Sequence, residues 1–219
     1  MTNLTILTMA TMLLFGFTSC NAQTSETDKN FAKLGKPVSD SSTTQTLTIT
    51  KVRKPWYAWR SLVVHKMKES IPEYQAIEGL NQKFYSFTEN RKMFGGLYFW
   101  ETEQDANKWF NKAWFDRIEK KYAEKGIVMY FGVQSVKSFA TVNPNAKDLY
   151  AAITYKKEDT FFIDNSAVGL IKLLTLTDDK KQTCYLTIWQ NKEQAETYFQ
   201  KKNVTNEFFD VPFFIVNKI

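Results

Sequence analysis

Histidine and cysteine are almost missing from this chain, which holds one His and two Cys among 219 residues. Metal centres built on imidazole and thiolate need about four such ligands at short spacings, so no metal site is expected. No Ser-His-Asp order, glycine-rich phosphate loop or glycosidase-like carboxylate pair stands out either. Asp178-Asp179 comes nearest to a calcium loop, and Lys180 and Lys181 follow it directly. Residues 1–19 carry no charge. The apolar run within them, Met9 to Phe17, is too short to cross a bilayer as a helix, which takes about 20 residues.

That run is instead the length of a signal-peptide core. It leads into Thr18-Ser19-Cys20 and resembles the lipobox of bacterial lipoproteins. The resemblance implies a signal peptide over residues 1–19, lipidation of Cys20, and a membrane contact through that anchor. The protein would then sit in the cell envelope, on the periplasmic face or at the outer membrane. Residues 20–47 read as the lipidated cysteine and a flexible tether. They are rich in Ser, Thr, Asn, Asp and Lys, and offer little apolar surface to offset the entropy of ordering. With Cys20 lipidated, Cys184 has no disulfide partner. Its place in the strand pattern Thr183 to Trp189 makes it a buried, inert thiol.

Aromatic residues are plentiful, and they expose a repeat. Gly79-Leu80 is followed by Trp100, Ala106 and Trp109-Phe110; Gly169-Leu170 is followed by Trp189, Ala195 and Tyr198-Phe199. From each Trp onward the spacing is the same. Two copies roughly 90 residues apart indicate a duplicated domain rather than a solenoid.

In the first copy, Tyr57 to Met67 reads as a strand with Trp59, Ser61, Val63, His65 and Met67 on one face. Ser70 caps a short helix with Pro72 in its first turn, and Gly79 ends it. Phe84 to Thr88 and Met93 to Trp100 form a hairpin. Thr102 caps the longest helix, whose apolar face runs through Ala106, Trp109, Phe110, Ala113, Trp114, Ile118 and Tyr122. Ile127 to Val136 closes the unit. The second copy compresses the same order: strand Leu149 to Tyr155, a short helical or irregular stretch around Phe161 to Val168, hairpin Leu170 to Thr177 and Gln182 to Trp189, a helix capped by Asn191, and strand Val211 to Val216. Pro212 there suggests an edge or a strand start.

A β-α-β-β-α-β unit is ferredoxin-like. The expected fold class is α+β, with two such units at residues 48–140 and 141–219. Each covers the other's open sheet face, giving an intrachain pseudo-dimer and hence a monomer. The net charge of +6 comes from lysines spread along the chain. That suits solubility. No basic stripe interleaved with aromatics appears, so no nucleic-acid partner is expected.

The run Gly79 to Phe84, then Gly95-Gly96-Leu97-Tyr98-Phe99-Trp100, then Ala106 with Trp109-Phe110 resembles the YdhR-type monooxygenases of the dimeric α/β-barrel (antibiotic-biosynthesis-monooxygenase-like) superfamily. The resemblance implies a pocket between sheet and helices for a small apolar or aromatic molecule. It also implies no cofactor: the substrate forms a carbanion and passes an electron to oxygen, while the protein supplies a dry cavity and a few polar groups. His65 is the candidate catalytic base; Tyr57, Trp59, Tyr85 and Trp100 are candidate ligand-binding residues. Each also has a plainer reading. His65 serves equally as a hydrogen-bonded structural residue, Trp100 as packing (Trp189 repeats it), and Trp56, Tyr57 and Trp59 as a hydrophobic plug. Two functions stay open. Non-catalytic binding of the ligand is favoured by the shortened second copy, and cofactor-independent oxygenation of a small aromatic or quinone-like substrate is the alternative.

Overall fold

Where apolar residues recur at every second position the backbone extends, because successive side chains on a strand point to opposite faces. The computed structural model describes residues 38–39, 44–143, 146–155, 167–200, 202, 204 and 206–217. In chain order the first half holds β1 (Val38–Ser39), β2 (Thr46–Arg53), α1 (Arg60–Glu69), α2 (Ile71–Gln75), β3 (Leu80–Thr88), β4 (Met93–Trp100), α3 (Glu103–Trp109), α4 (Lys112–Tyr122) and β5 (Ile127–Ser138). The second half holds β6 (Leu149–Tyr155), β7 (Leu170–Thr177), β8 (Thr183–Trp189), α5 (Lys192–Gln200) and β9 (Asn206–Val216).

Eight of these strands close into an antiparallel barrel in the order β5-β2-β4-β3-β9-β6-β8-β7, with β7 pairing back onto β5. The short β1 pairs with the far end of β5. Within β2–β5 and within β6–β9 the spatial order is the same: fourth strand, first, third, second. An eight-stranded barrel is just wide enough for side chains to fill it. One apolar cluster drawn from all eight strands does so, including Leu47, Ile49, Phe84, Leu97, Phe99, Phe131, Leu174, Leu186 and Phe209. Alternate residues face outward and meet the helices. Trp100, Phe110 and Trp114 pack between the sheet and α3 and α4, Val63 and Met67 press α1 onto Tyr85 and Phe87, and Trp189 and Phe199 sit under α5.

The repeated glycines have one physical cause. Gly79 and Gly169 adopt φ of +77° and +81°, a left-handed conformation that costs glycine little. Each carbonyl then accepts a hydrogen bond from the residue after the repeated tryptophan, Glu101 N at 2.8 Å and Gln190 N at 2.9 Å. Asp105 and Gln194, from the first turns of α3 and α5, lie where a Cβ would stand on either glycine.

Four expectations from the sequence need correction or a boundary. Tyr57 to Met67 is not a strand: residues 60–69 are helical. Val63 and Met67, four apart, give a helix one buried side, whereas on a strand they would share their face with the exposed Trp59 and His65. The first strand is instead Thr46–Arg53, so it starts at the end of the Ser/Thr-rich stretch read as tether. Pro212 lies inside β9, at an irregularity where Val211 and Pro212 face the single Ser86 of β3; a bulge tolerates the missing N–H. The long helix after Thr102 is broken into α3 and α4, and Asn111 caps the second piece. Phe161 to Ser166 and Cys20 lie outside the described residues.

Candidate functional site

Strand β3 carries the sequence Gln82-Lys83-Phe84-Tyr85. Phe84 turns inward, so Lys83 and Tyr85 turn out toward the helices. β4 pairs alongside, placing Tyr98 opposite Lys83. Helix α2 lays Tyr74 across both. The Lys83 ammonium nitrogen lies 2.9 Å from the centroid of the Tyr74 ring, 3.8 Å from that of Tyr85 and 4.8 Å from that of Tyr98. Only 2% of Lys83 is exposed. Among the described residues no carboxylate or carbonyl hydrogen-bonds its Nζ.

Two effects oppose each other at this nitrogen. Ring faces attract a cation, by about 2 kcal/mol or more when desolvated. Burial penalises the charged form, and burial holds Lys83 well below the ordinary lysine value of 10.5, against a smaller upward pull from Glu73. Burial also pushes the Tyr74, Tyr85 and Tyr98 hydroxyls up, so these phenols stay protonated. Tyr98 donates to Tyr74 Oη at 3.5 Å, and Tyr85 Oη lies 3.2 Å from Ser70 Oγ.

Beside these groups is a cavity of about 200 Å³ between β2–β4 and helices α1, α2 and α4. Lys83, the three tyrosines, Ser70 and Met67 line it. Toward solvent it meets Glu73 and Arg117, which join α2 to α4 through a 3.0 Å ion pair. The apolar cavity that admits benzene in an engineered core measures about 150 Å³, so this volume suits a single aromatic ring with substituents.

The second half treats the corresponding place differently. Lys83 pairs with Tyr98 two residues before Trp100; Leu173 pairs with Thr187 two residues before Trp189. Leu173 is packed among Tyr150, Ala152, Trp189 and Phe199. An apolar side chain therefore satisfies this position of the fold.

The residues singled out from sequence disperse. His65 lies on the exposed side of α1 with Nε2 3.1 Å from Glu69 Oε1, and it does not line the cavity. Its supposed apolar company went with the strand assignment. Tyr57 and Trp59 are exposed, as is Trp56 at 93%. Trp100 is fully buried and donates its indole N–H to Thr48 Oγ1 at 2.9 Å; Trp189 likewise donates to Thr187 Oγ1 at 2.8 Å. Tyr85 alone of the set reaches the cavity. Lys83, Tyr74 and Tyr98 were missed. Counting four residues on from each repeated glycine gives Lys83 in one copy and Leu173 in the other, a contrast that would have exposed the lysine. Cys184 is buried inside the barrel, where burial pushes its thiol up to about 12.

No protein-family model matches the chain, and neither does the sequence of any curated protein. Solved structures do share the fold. An anthrone oxidase-like protein superposes with a TM-score of 0.57 at 10% identity, over 83% of this chain and 97% of its own. A candidate monooxygenase from Lactobacillus acidophilus gives 0.52 at 12% identity, over 80% of this chain and 97% of its own. One from Fusobacterium nucleatum gives 0.53 at 14% identity, over 80% and 95%. The chain thus shares its fold with these three structures, and identities this low speak to fold alone.

Proposed function

We propose that this chain binds a small planar aromatic molecule in the Lys83–tyrosine cavity and oxidises it with molecular oxygen. The observation that carries this reading is the difference between the halves. One outer face keeps a tyrosine-lined cavity with a buried amine where the other has Leu173 in a packed cluster. The anthrone oxidase-like and monooxygenase neighbours support it by analogy of fold.

The reaction such a cavity suits is oxidation of an activated ring methylene. The substrate loses a proton, from the ring C–H or from the O–H of its enol form, and the resulting delocalised anion transfers an electron to oxygen. Recombination and loss of water convert CH2 and O2 to C=O and H2O. The protein excludes water, holds the ring between tyrosine faces and accepts the first proton. Binding without turnover, the reading the sequence favours, would use the same cavity. The wider arrangement we propose is two ferredoxin-like units of common origin, in a YdhR-type lipoprotein anchored through Cys20. The matched glycines, tryptophans and strand orders support the common origin.

Oxygen uptake by the full chain tests the activity. With a hydroaromatic ketone of a single substituted ring, one O2 is expected to disappear per carbonyl formed. Ser70→Leu, which pushes a branched side chain into the cavity, should abolish uptake while leaving the fold intact. If wild type neither consumes oxygen nor retains any aromatic ligand in native mass spectrometry, the reading is wrong.

A further inference from the structure

We propose that the Lys83 amine is the base of this site and that its substrates are weak oxygen acids: phenols, or ring ketones in their enol form. The amine lone pair takes the acidic proton. The O–H bond breaks, an N–H bond forms, and the ammonium remains beside the oxygen anion it has created. This rests on the cavity being the ligand site.

Three observations lead here. The first is position. Lys83 occupies a place where the other half of the barrel carries Leu173, so neither register nor packing calls for an amine. The second is the lack of a counter-ion. A buried cation normally keeps a carboxylate partner, yet three tyrosine rings surround this nitrogen and, among the described residues, no acid hydrogen-bonds it. An arriving ligand that becomes an anion supplies that partner. The third is the competition. The titratable and charged groups around the cavity are Lys66 from α1, Glu73 and Tyr74 from α2, Tyr85 from β3, Tyr98 from β4, and Arg117, Lys121 and Tyr122 from α4. Cations and protonated phenols cannot accept a proton near neutrality, and Glu73 is engaged by Arg117 at 3.0 Å. Lys83 is left, and desolvation favours its neutral form. After proton transfer, the tyrosine faces stabilise the new ammonium.

Two probes of nearly the same shape separate this from the pocket reading: 4-nitrophenol, whose anion is yellow, and its methyl ether 4-nitroanisole, which has no acidic proton. They are titrated into the full chain, wild type and Lys83→Met, at a pH below the phenol's own ionisation, where the free probe is colourless. Wild type is expected to bind 4-nitrophenol and turn it yellow, and to prefer it at least tenfold over the ether. Lys83→Met should bind both probes alike, without colour. Colourless binding of the phenol by wild type overturns the assignment whatever the variant does, as does an equal yellow band in Lys83→Met. In those cases the cavity survives as a ligand site. If wild type binds neither probe, the pocket reading falls and this one with it.

Discussion

Gly79 and Gly169 hold the same left-handed turn in the two halves, and each sits under a side chain from the helix that follows. A Cβ at Gly79 would lie 2.6 Å from Asp105 Cγ, and the left-handed φ adds its own penalty. Gly79→Ala should therefore destabilise the fold by about 1–3 kcal/mol, read as a lower urea midpoint at unchanged slope. A loss under a few tenths of a kcal/mol would mean the turn relaxes freely. These glycines and tryptophans were legible in the sequence because the repeat displays them twice. Lys83 was legible only as a difference between the copies. A lone lysine in a strand reads as a solvent-facing residue, and the buried surroundings that make this one unusual come from other elements, α2, β4 and α4. His65 drew notice for the opposite reason: rarity in composition says nothing about burial.

Elements were legible where the local signal was strong and unopposed. Thr102 was placed correctly as a helix cap, and its Oγ1 accepts from Asp105 N at 3.1 Å while donating to Asp105 Oδ2 at 2.6 Å. Removing it by Thr102→Ala should cost about 1 kcal/mol, with helix α3 fraying first in hydrogen exchange; unchanged stability and exchange would show that packing alone holds α3. The hairpins were equally clear, being runs of β-branched and aromatic residues split by polar turns. Two elements failed together. Thr46–Arg53 alternates Thr with Leu47 and Ile49, a strand pattern, but it follows a polar Ser/Thr-rich stretch and merged with it. The first-strand place in the unit then fell to Tyr57–Met67. The exposed aromatics Trp56, Tyr57 and Trp59 made that segment look like strand, whereas helix formers such as Leu62, Lys66, Met67 and Lys68 decide it. The cavity is walled partly by α1, through Lys66 and Met67, so this misassignment removed one wall of the site from view.

At the scale of the molecule, closure is what joins the halves. β3 pairs with β9 and β5 with β7, so each half contributes strands to both seams and to one interior core. The interior is packed; the cavity that carries the functional reading lies outside the barrel wall, under the helices of the first half. We propose that Lys83 is kept there for chemistry and at the expense of stability, since Leu173 shows what the fold itself accepts. Denaturation of wild type and Lys83→Met as a function of pH tests it most directly. Replacing a buried, unpaired amine with an apolar side chain of similar length should stabilise the chain by about 1–4 kcal/mol at neutral pH. Lys83 binds its proton less readily folded than unfolded, so the unfolded chain holds the extra proton between the lowered value and the ordinary 10.5. Wild-type stability should thus rise relative to the variant as pH climbs through that window, and the advantage of Lys83→Met should shrink. A variant less stable than wild type at every pH, with a gap that does not change, would contradict the claim and return Lys83 to the structural core.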